Sequence, residues 1–93
     1  DVFALTVNGD SMIDACIADG DMVLMEPIRD SFPVKNGTIV SAMVPGLGTT
    51  LKYFFKRGNK IILEAANESY ESIELDLDEV VLQGKLLAVW RKV

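Results

Sequence analysis

Apolar and polar residues alternate with a period of two along most of this 93-residue chain, in short β-branched and aromatic runs separated by glycine, asparagine and aspartate. Such a pattern sends successive side chains to opposite faces of a strand and does not build the apolar stripe of a helix. The chain therefore reads as mainly β, with several short antiparallel strands expected over residues 2–7, 21–26, 38–44, 49–56, 60–64, 73–77 and 80–91. Gly84 is expected to bend the last of them. Asp19-Gly20-Asp21, Lys35-Asn36-Gly37 and Arg57-Gly58-Asn59 supply turn residues between these runs, and Val44-Pro45-Gly46-Leu47-Gly48-Thr49 makes a further reversal. Gly46 and Gly48 do not form a phosphate loop, because no Gly-Lys-Ser/Thr ending follows them. Residues 11–17 are expected to form one short helical turn, with Asp10 or Ser11 as its N-cap.

A chain of 93 residues, 49% hydrophobic and 25% charged, is enough for one core and one domain. Stability margins are modest at this size, so self-association is expected. A net charge of −5 argues against nucleic-acid binding by this segment, since phosphate contacts need a concentrated basic surface. The only basic cluster, Lys56, Arg57 and Lys60 around Gly58-Asn59, reads as a solvated hairpin turn. The acidic tract from Glu74 to Glu79 alternates with Leu75 and Leu77 as a solvated strand face, and it lacks the glycine and terminal glutamate of a calcium loop. No apolar run approaches a membrane span and no export signal is visible, so a cytoplasmic location without membrane contact is expected. The chain begins at Asp1 rather than methionine, which suggests a piece of a longer polypeptide.

One cysteine and no histidine rule out a disulfide within the chain and a thiolate/imidazole metal site, so no metal or cofactor is expected. Cys16, within Ala15-Cys16-Ile17-Ala18, is expected to be a small core residue rather than a nucleophile. Met12, Met22, Met25 and Met43 are expected to pack, and Trp90 to fill a core or an interface.

Without histidine, a serine nucleophile has to be activated by a lysine amine. Ser11, in Gly9-Asp10-Ser11-Met12, and Lys52, in Thr49-Thr50-Leu51-Lys52-Tyr53-Phe54, are the candidates for such a pair. At the start of a helical turn the backbone amides point outward, and those of Ser11 and Asp10 are the candidate oxyanion hole. Alternation puts Thr50, Lys52 and Phe54 on one strand face and Leu51, Tyr53 and Phe55 on the other, so one amine has largely apolar company. To act as a base near neutral pH, Lys52 must lie well below the ordinary lysine range, and desolvation among such neighbours can achieve that. From these residues alone, a capping serine and an edge-strand lysine with its head in water remain an open alternative.

Val7-Asn8-Gly9-Asp10-Ser11-Met12-Ile13-Asp14, Ile17-Ala18-Asp19-Gly20-Asp21, Lys35-Asn36-Gly37-Thr38-Ile39-Val40 and Thr50-Leu51-Lys52 occur in an order and spacing that resemble the LexA/UmuD family of self-cleaving peptidases. Ala66-Asn67-Glu68, Gln83-Gly84-Lys85 and Val89-Trp90-Arg91 extend the resemblance over nearly the whole chain. Gly48-Thr49-Thr50-Leu51-Lys52 and the Val89-Trp90-Arg91 ending are most similar to the C-terminal domain of LexA-type repressors. The fold this implies is the LexA/signal-peptidase-like β domain with a short helical turn at the nucleophile. The function it implies is that of an SOS-response repressor, whose serine, matching Ser11, attacks a peptide bond in the protein's own interdomain loop, usually Ala-Gly. A neutral lysine matching Lys52 takes the serine proton and returns it to the leaving group. The implied partners are a second copy in a homodimer, a RecA–single-stranded DNA filament that stimulates cleavage, and operator DNA held only by an N-terminal winged helix-turn-helix outside this chain.

Docking of the loop by strand addition is expected to desolvate Lys52 as it delivers the substrate. The strand from Leu86 to the C-terminal Val93 is expected to pair across the dimer axis. The chain departs from the family in having no Ala-Gly dipeptide and ten residues ahead of Ser11, so the cleavage loop is expected to lie outside it. Ala66 stands where the family more often has proline. Two alternatives share the scaffold. One is a UmuD-like subunit of an error-prone DNA polymerase, told apart by a short arm in place of the helix-turn-helix. The other is a dimerisation module without catalysis, which would tolerate Ser11→Ala.

Overall fold

The computed structural model describes residues 1–29 and 33–92. Seven strands form one antiparallel sheet: β1 (Phe3–Thr6), β2 (Met22–Pro27), β3 (Thr38–Val44), β4 (Gly48–Arg57), β5 (Lys60–Glu64), β6 (Ile73–Asp76) and β7 (Val81–Trp90). Their order across the sheet is β1-β2-β7-β3-β4-β5-β6, so the last strand of the chain inserts between β2 and β3. Two isolated 3-10 turns, Ile13–Ala15 and Leu77–Glu79, are the remaining regular elements among the described residues. The mainly β expectation holds, and the expected strands are found with ends shifted by a residue or so.

The period of two does the structural work. Val40, Ala42 and Val44 of β3 join Phe54, Ile61 and Leu63 in one buried cluster. Ile39, Leu51 and Tyr53, the intervening residues of β3 and β4, pack against a second cluster of Met12, Ile17, Val23, Met25 and Ala66. Alternate residues of the central hairpin thus supply a core on each face of the sheet. Full burial of a Val, Leu, Ile or Met side chain contributes about 1.5–3 kcal/mol, which makes these positions the main source of stability.

The β3–β4 and β4–β5 connections are tight hairpins, and Gly46, Gly48 and Gly58 in them have positive φ, as the turn signals require. Gly84 acts by close approach. A Cβ at this position would stand 2.7 Å from Phe3 Cζ and 3.0 Å from the Glu26 carbonyl oxygen. Beside it the β3–β7 register shifts between Ser41 and Ala42, and the β2–β7 register shifts between Leu24 and Met25. These bulges coil the sheet.

Four expectations need correction. Cys16 is exposed, not core: it closes the first 3-10 turn in a left-handed conformation (φ 63°), which turns Ile17 inward in its place. Met43 is exposed, because it lies near the end of β3, beyond the residues of its face that pack on the second cluster; Trp90, expected in a core or an interface, is half exposed, which leaves the interface. The first helical turn is capped by neither Asp10 nor Ser11. Its N-cap is Met12, without a side-chain bond, and the Asp10 carbonyl instead accepts the Ile13 N–H. Strand β6 ends at Asp76, since Leu77 enters the second 3-10 turn, where the Glu79 carboxylate accepts the Asp76 N–H at 2.8 Å. Val93, the end of the expected dimer strand, lies outside the described residues.

Candidate active site

Lys52 stands where β4 loses one neighbour. From Gly48 to Phe54 the strand pairs with β3, but its pairing with β5 begins only at Tyr53. Ser11 approaches this uncovered stretch on the segment that links β1 to β2, anchored by Met12, which is 1% exposed. Residues 41 apart in sequence thereby meet, with the Lys52 Nζ donating to Ser11 Oγ at 3.1 Å.

Two further oxygens complete the surroundings of the amine. Thr50 Oγ1 accepts from Nζ at 2.6 Å and the Leu51 carbonyl at 3.2 Å. Lys52 is 7% exposed, and none of the ion pairs among the described residues includes it. Burial without a carboxylate partner disfavours the ammonium and lowers the pKa below the ordinary lysine value. The edge lysine with its head in water is therefore not what forms here.

The segment carrying Ser11 is held from several sides. Asn67 Nδ2 donates to the Asp10 carbonyl at 3.0 Å, and Tyr70 Oη donates to the Asp10 carboxylate at 2.7 Å. That carboxylate raises the Tyr70 pKa. The Ala66 carbonyl accepts the Asp14 N–H at 2.8 Å, so the connection between β5 and β6 buttresses the turn along its length. At the other end the Val7 N–H reaches the Asp21 carbonyl at 2.8 Å and the Gly20 N–H reaches the Val7 carbonyl at 2.8 Å, closing the loop at its base. Among the described residues, neither the Asp10 nor the Ser11 amide donates to another protein group.

A cleft of about 260 Å³ opens at Ser11, lined among others by Val7, Asn8, Met12, Thr49 and Thr50. Two larger clefts, of about 610 and 620 Å³, lie around Ile28 and Val34 and have neither Ser11 nor Lys52 in their walls. Proximity to the pair, rather than size, singles out the smaller one. Among the described residues no group of three or more Cys, Asp or Glu side chains is placed to hold a metal, and no helix is long and apolar enough to cross a membrane.

A profile of the S24-like peptidases matches residues 1–87. The chain belongs to the S24 peptidase family. Relatives of this S24 chain include a LexA repressor of Paramagnetospirillum magneticum, 44% identical over 97% of the chain and 37% of the relative. LexA repressor 1 of Nocardia farcinica is 45% identical over 99% of the chain and 40% of its own length, and a LexA repressor of a Ruegeria species is 46% identical over 96% and 36%. The S24 chain thus spans less than half the length of these curated relatives.

The predicted residues Ser11 and Lys52 come together, and Asp10 lies beside them. Sequence reasoning gave Thr50 no role, although its i−2 spacing from Lys52 was signal enough to put both on one strand face. Tyr70 carried no local signal, since it meets Asp10 from a connection 60 positions away.

Proposed function

We propose that this chain is the self-cleaving and dimerising domain of a LexA-like SOS transcriptional repressor, with Ser11 as nucleophile and Lys52 as its general base. The observation that carries the reading is the 3.1 Å approach of a buried amine, with no carboxylate partner among the described residues, to Ser11 Oγ. A neutral amine has two N–H groups and one lone pair. The ammonium donates to all three oxygens; on losing the proton shared with Ser11 the amine keeps its two N–H groups on Thr50 Oγ1 and the Leu51 carbonyl, and its lone pair accepts from the Ser11 hydroxyl.

As Ser11 Oγ bonds to the carbonyl carbon of the scissile peptide, its proton passes to Lys52 Nζ and an electron pair moves onto the carbonyl oxygen. The Ser11 and Asp10 amides face that oxyanion. Collapse re-forms the C=O bond and breaks the C–N bond, and the Lys52 ammonium protonates the leaving amine. Water then gives a proton to the same amine and bonds to the acyl carbon, and collapse breaks the bond to Ser11 Oγ, which recovers that proton from the ammonium.

The substrate is an extended segment of the repressor's own interdomain loop. Strand addition is supported by two backbone edges that border the cleft, the outer edge of β1 and the stretch of β4 ahead of Tyr53. Its arrival excludes water from Lys52 and lowers the pKa further, so docking gates the reaction. A homodimer is supported by β7, which from Leu86 to Trp90 pairs with β2 alone and leaves Leu87 and Trp90 exposed. Stimulation by a RecA–single-stranded DNA filament, operator binding through an N-terminal domain and a cytoplasmic location accord with the repressors it resembles.

The test mixes this domain with the parent's N-terminal segment including the loop, and follows cleavage from about pH 7 to about pH 10, the interval below the ordinary lysine pKa. Cutting should rise as an amine deprotonates and vanish in Ser11→Ala and Lys52→Ala. Bound segment that stays intact at every pH would leave a dimerisation module on a silent peptidase scaffold.

A further inference from the structure

One set of polar contacts near the nucleophile has no part in the chemistry above. Arg91, one residue beyond β7, donates through Nε to Asp21 Oδ1 at 2.9 Å and through Nη2 to Asp21 Oδ2 at 2.8 Å. The same Nη2 donates to the Cys16 carbonyl at 2.9 Å. Asp21 is 2% exposed, and its Oδ2 also accepts the Ala18 N–H at 2.8 Å. Arg91 is thus a three-bond clasp joining the end of β7 to two points of the segment that presents Ser11.

The point gripped at Cys16 is a strained one. Cys16 is the only non-glycine with positive φ among the described residues (φ 63°), a conformation that side chains with a Cβ rarely adopt and that the surroundings must enforce. The Cys16 N–H closes the 3-10 turn onto the Ile13 carbonyl at 3.0 Å, and the next amide, that of Ile17, reaches back to the Met12 carbonyl at 3.2 Å. Met12 is the neighbour of Ser11. A relaxed Cys16 would therefore release one of the two amides, those of Ala15 and Ile17, that hold the Met12 carbonyl beside the nucleophile.

We propose that Arg91 is a positioning residue for the peptidase, which holds Cys16 in its left-handed conformation and so keeps Ser11 Oγ within reach of Lys52, a role that rests on the reading of those two as the reacting pair. Arg91 touches neither substrate nor amine. Its planar fork is what spans both carboxylate oxygens and a carbonyl together, a task a lysine ammonium cannot perform.

The experiment compares wild type, Arg91→Lys and Arg91→Ala by two readouts, with Ser11→Ala as the control for chemistry. The first is hydrogen exchange of the Asp14, Cys16 and Ile17 amides. The second is cleavage of the loop segment supplied in trans, resolved into kcat and KM. In Arg91→Lys, which keeps the charge beside buried Asp21 and so keeps the fold, exchange at the three turn amides should rise at least about tenfold while β3 and β4 amides stay protected. The kcat should fall by about tenfold or more at unchanged KM and unchanged pH midpoint, the scale expected for a nucleophile displaced by a fraction of an ångström. Faster exchange with wild-type kcat would make Arg91 a structural tie and overturn the proposal, as would unaltered exchange whatever happens to kcat. Cutting by Ser11→Ala at the wild-type rate would sink the peptidase reading instead, and the exchange data would still decide whether Arg91 holds the turn. Should Arg91→Ala fail to fold, Arg91→Lys gives the answer.

Discussion

Replacing Lys52 by methionine tests whether the fold really disfavours the charged amine. Methionine fills a similar volume with flexible apolar atoms. Ser11 and Thr50, both partly exposed, can turn their hydroxyls toward water once the amine is gone, so little new cost arises. Replacing buried charge by apolar groups of like volume is often stabilising by about 1–4 kcal/mol, and Lys52→Met should gain within that range near neutral pH. The gain should depend on pH with a definite sign. Because the folded-state pKa of Lys52 lies below the ordinary value of 10.5, the unfolded chain holds the proton over the interval between the two. Wild-type stability therefore rises with pH across that interval, by at most about 1.4 kcal/mol per pH unit for one proton. Lys60 and Tyr70 act in the opposite sense. Their pKa values are raised, by hydrogen bonds to Asp76 and Asp10 respectively, so what they contribute is lost as pH climbs through the folded-state values. Both are present in each protein and cancel in the difference. Urea unfolding of the two proteins at several pH values should show the advantage of the variant shrinking as pH approaches 10.5. A difference that is constant with pH, or a wild type that is more stable throughout, would refute the account of a buried, charge-averse lysine.

Two other substitutions probe the frame around the site. Gly84→Ala should destabilise by about 1–3 kcal/mol, the cost of overpacking, because its Cβ would need to displace the Phe3 ring from 2.7 Å, and denaturant titration should show part of that loss recovered in Phe3→Leu/Gly84→Ala. Ser41 is fully buried and its hydroxyl lacks a hydrogen-bond partner among the described residues, so Ser41→Ala should be neutral or stabilising by about 1 kcal/mol in thermal melts, whereas a loss above that would mean the hydroxyl is satisfied.

What the residues reveal in advance follows the range of the forces involved. Strands and hairpins are governed by near neighbours, which is why alternation and the glycines at 46, 48 and 58 could be read off the sequence. The pair Ser11 and Lys52 was legible for a different reason: the absence of histidine left lysine as the available activator, and the surrounding motifs carry a family likeness. Cys16 was misjudged because local hydropathy places it in an apolar run, while its exposure comes from the sense in which the 3-10 turn closes. Asp10 with Tyr70, and Asp21 with Arg91, were out of reach because each joins residues at least 60 positions apart. Only the order of strands in the sheet decides that the end of β7 passes the turn before β2.

The oxygens around the Lys52 amine are a hydroxyl of Ser11, a hydroxyl of Thr50 and a carbonyl, all uncharged. The ionisation of this lysine is therefore set by its dryness and not by attraction to a fixed anion. Dissolved salt acts on exposed charges through its ionic atmosphere, and a buried amine without a counter-charge offers that atmosphere little to screen. An amine of this kind keeps its ionisation when the ionic strength of its surroundings swings, and responds instead to whatever keeps water in or out.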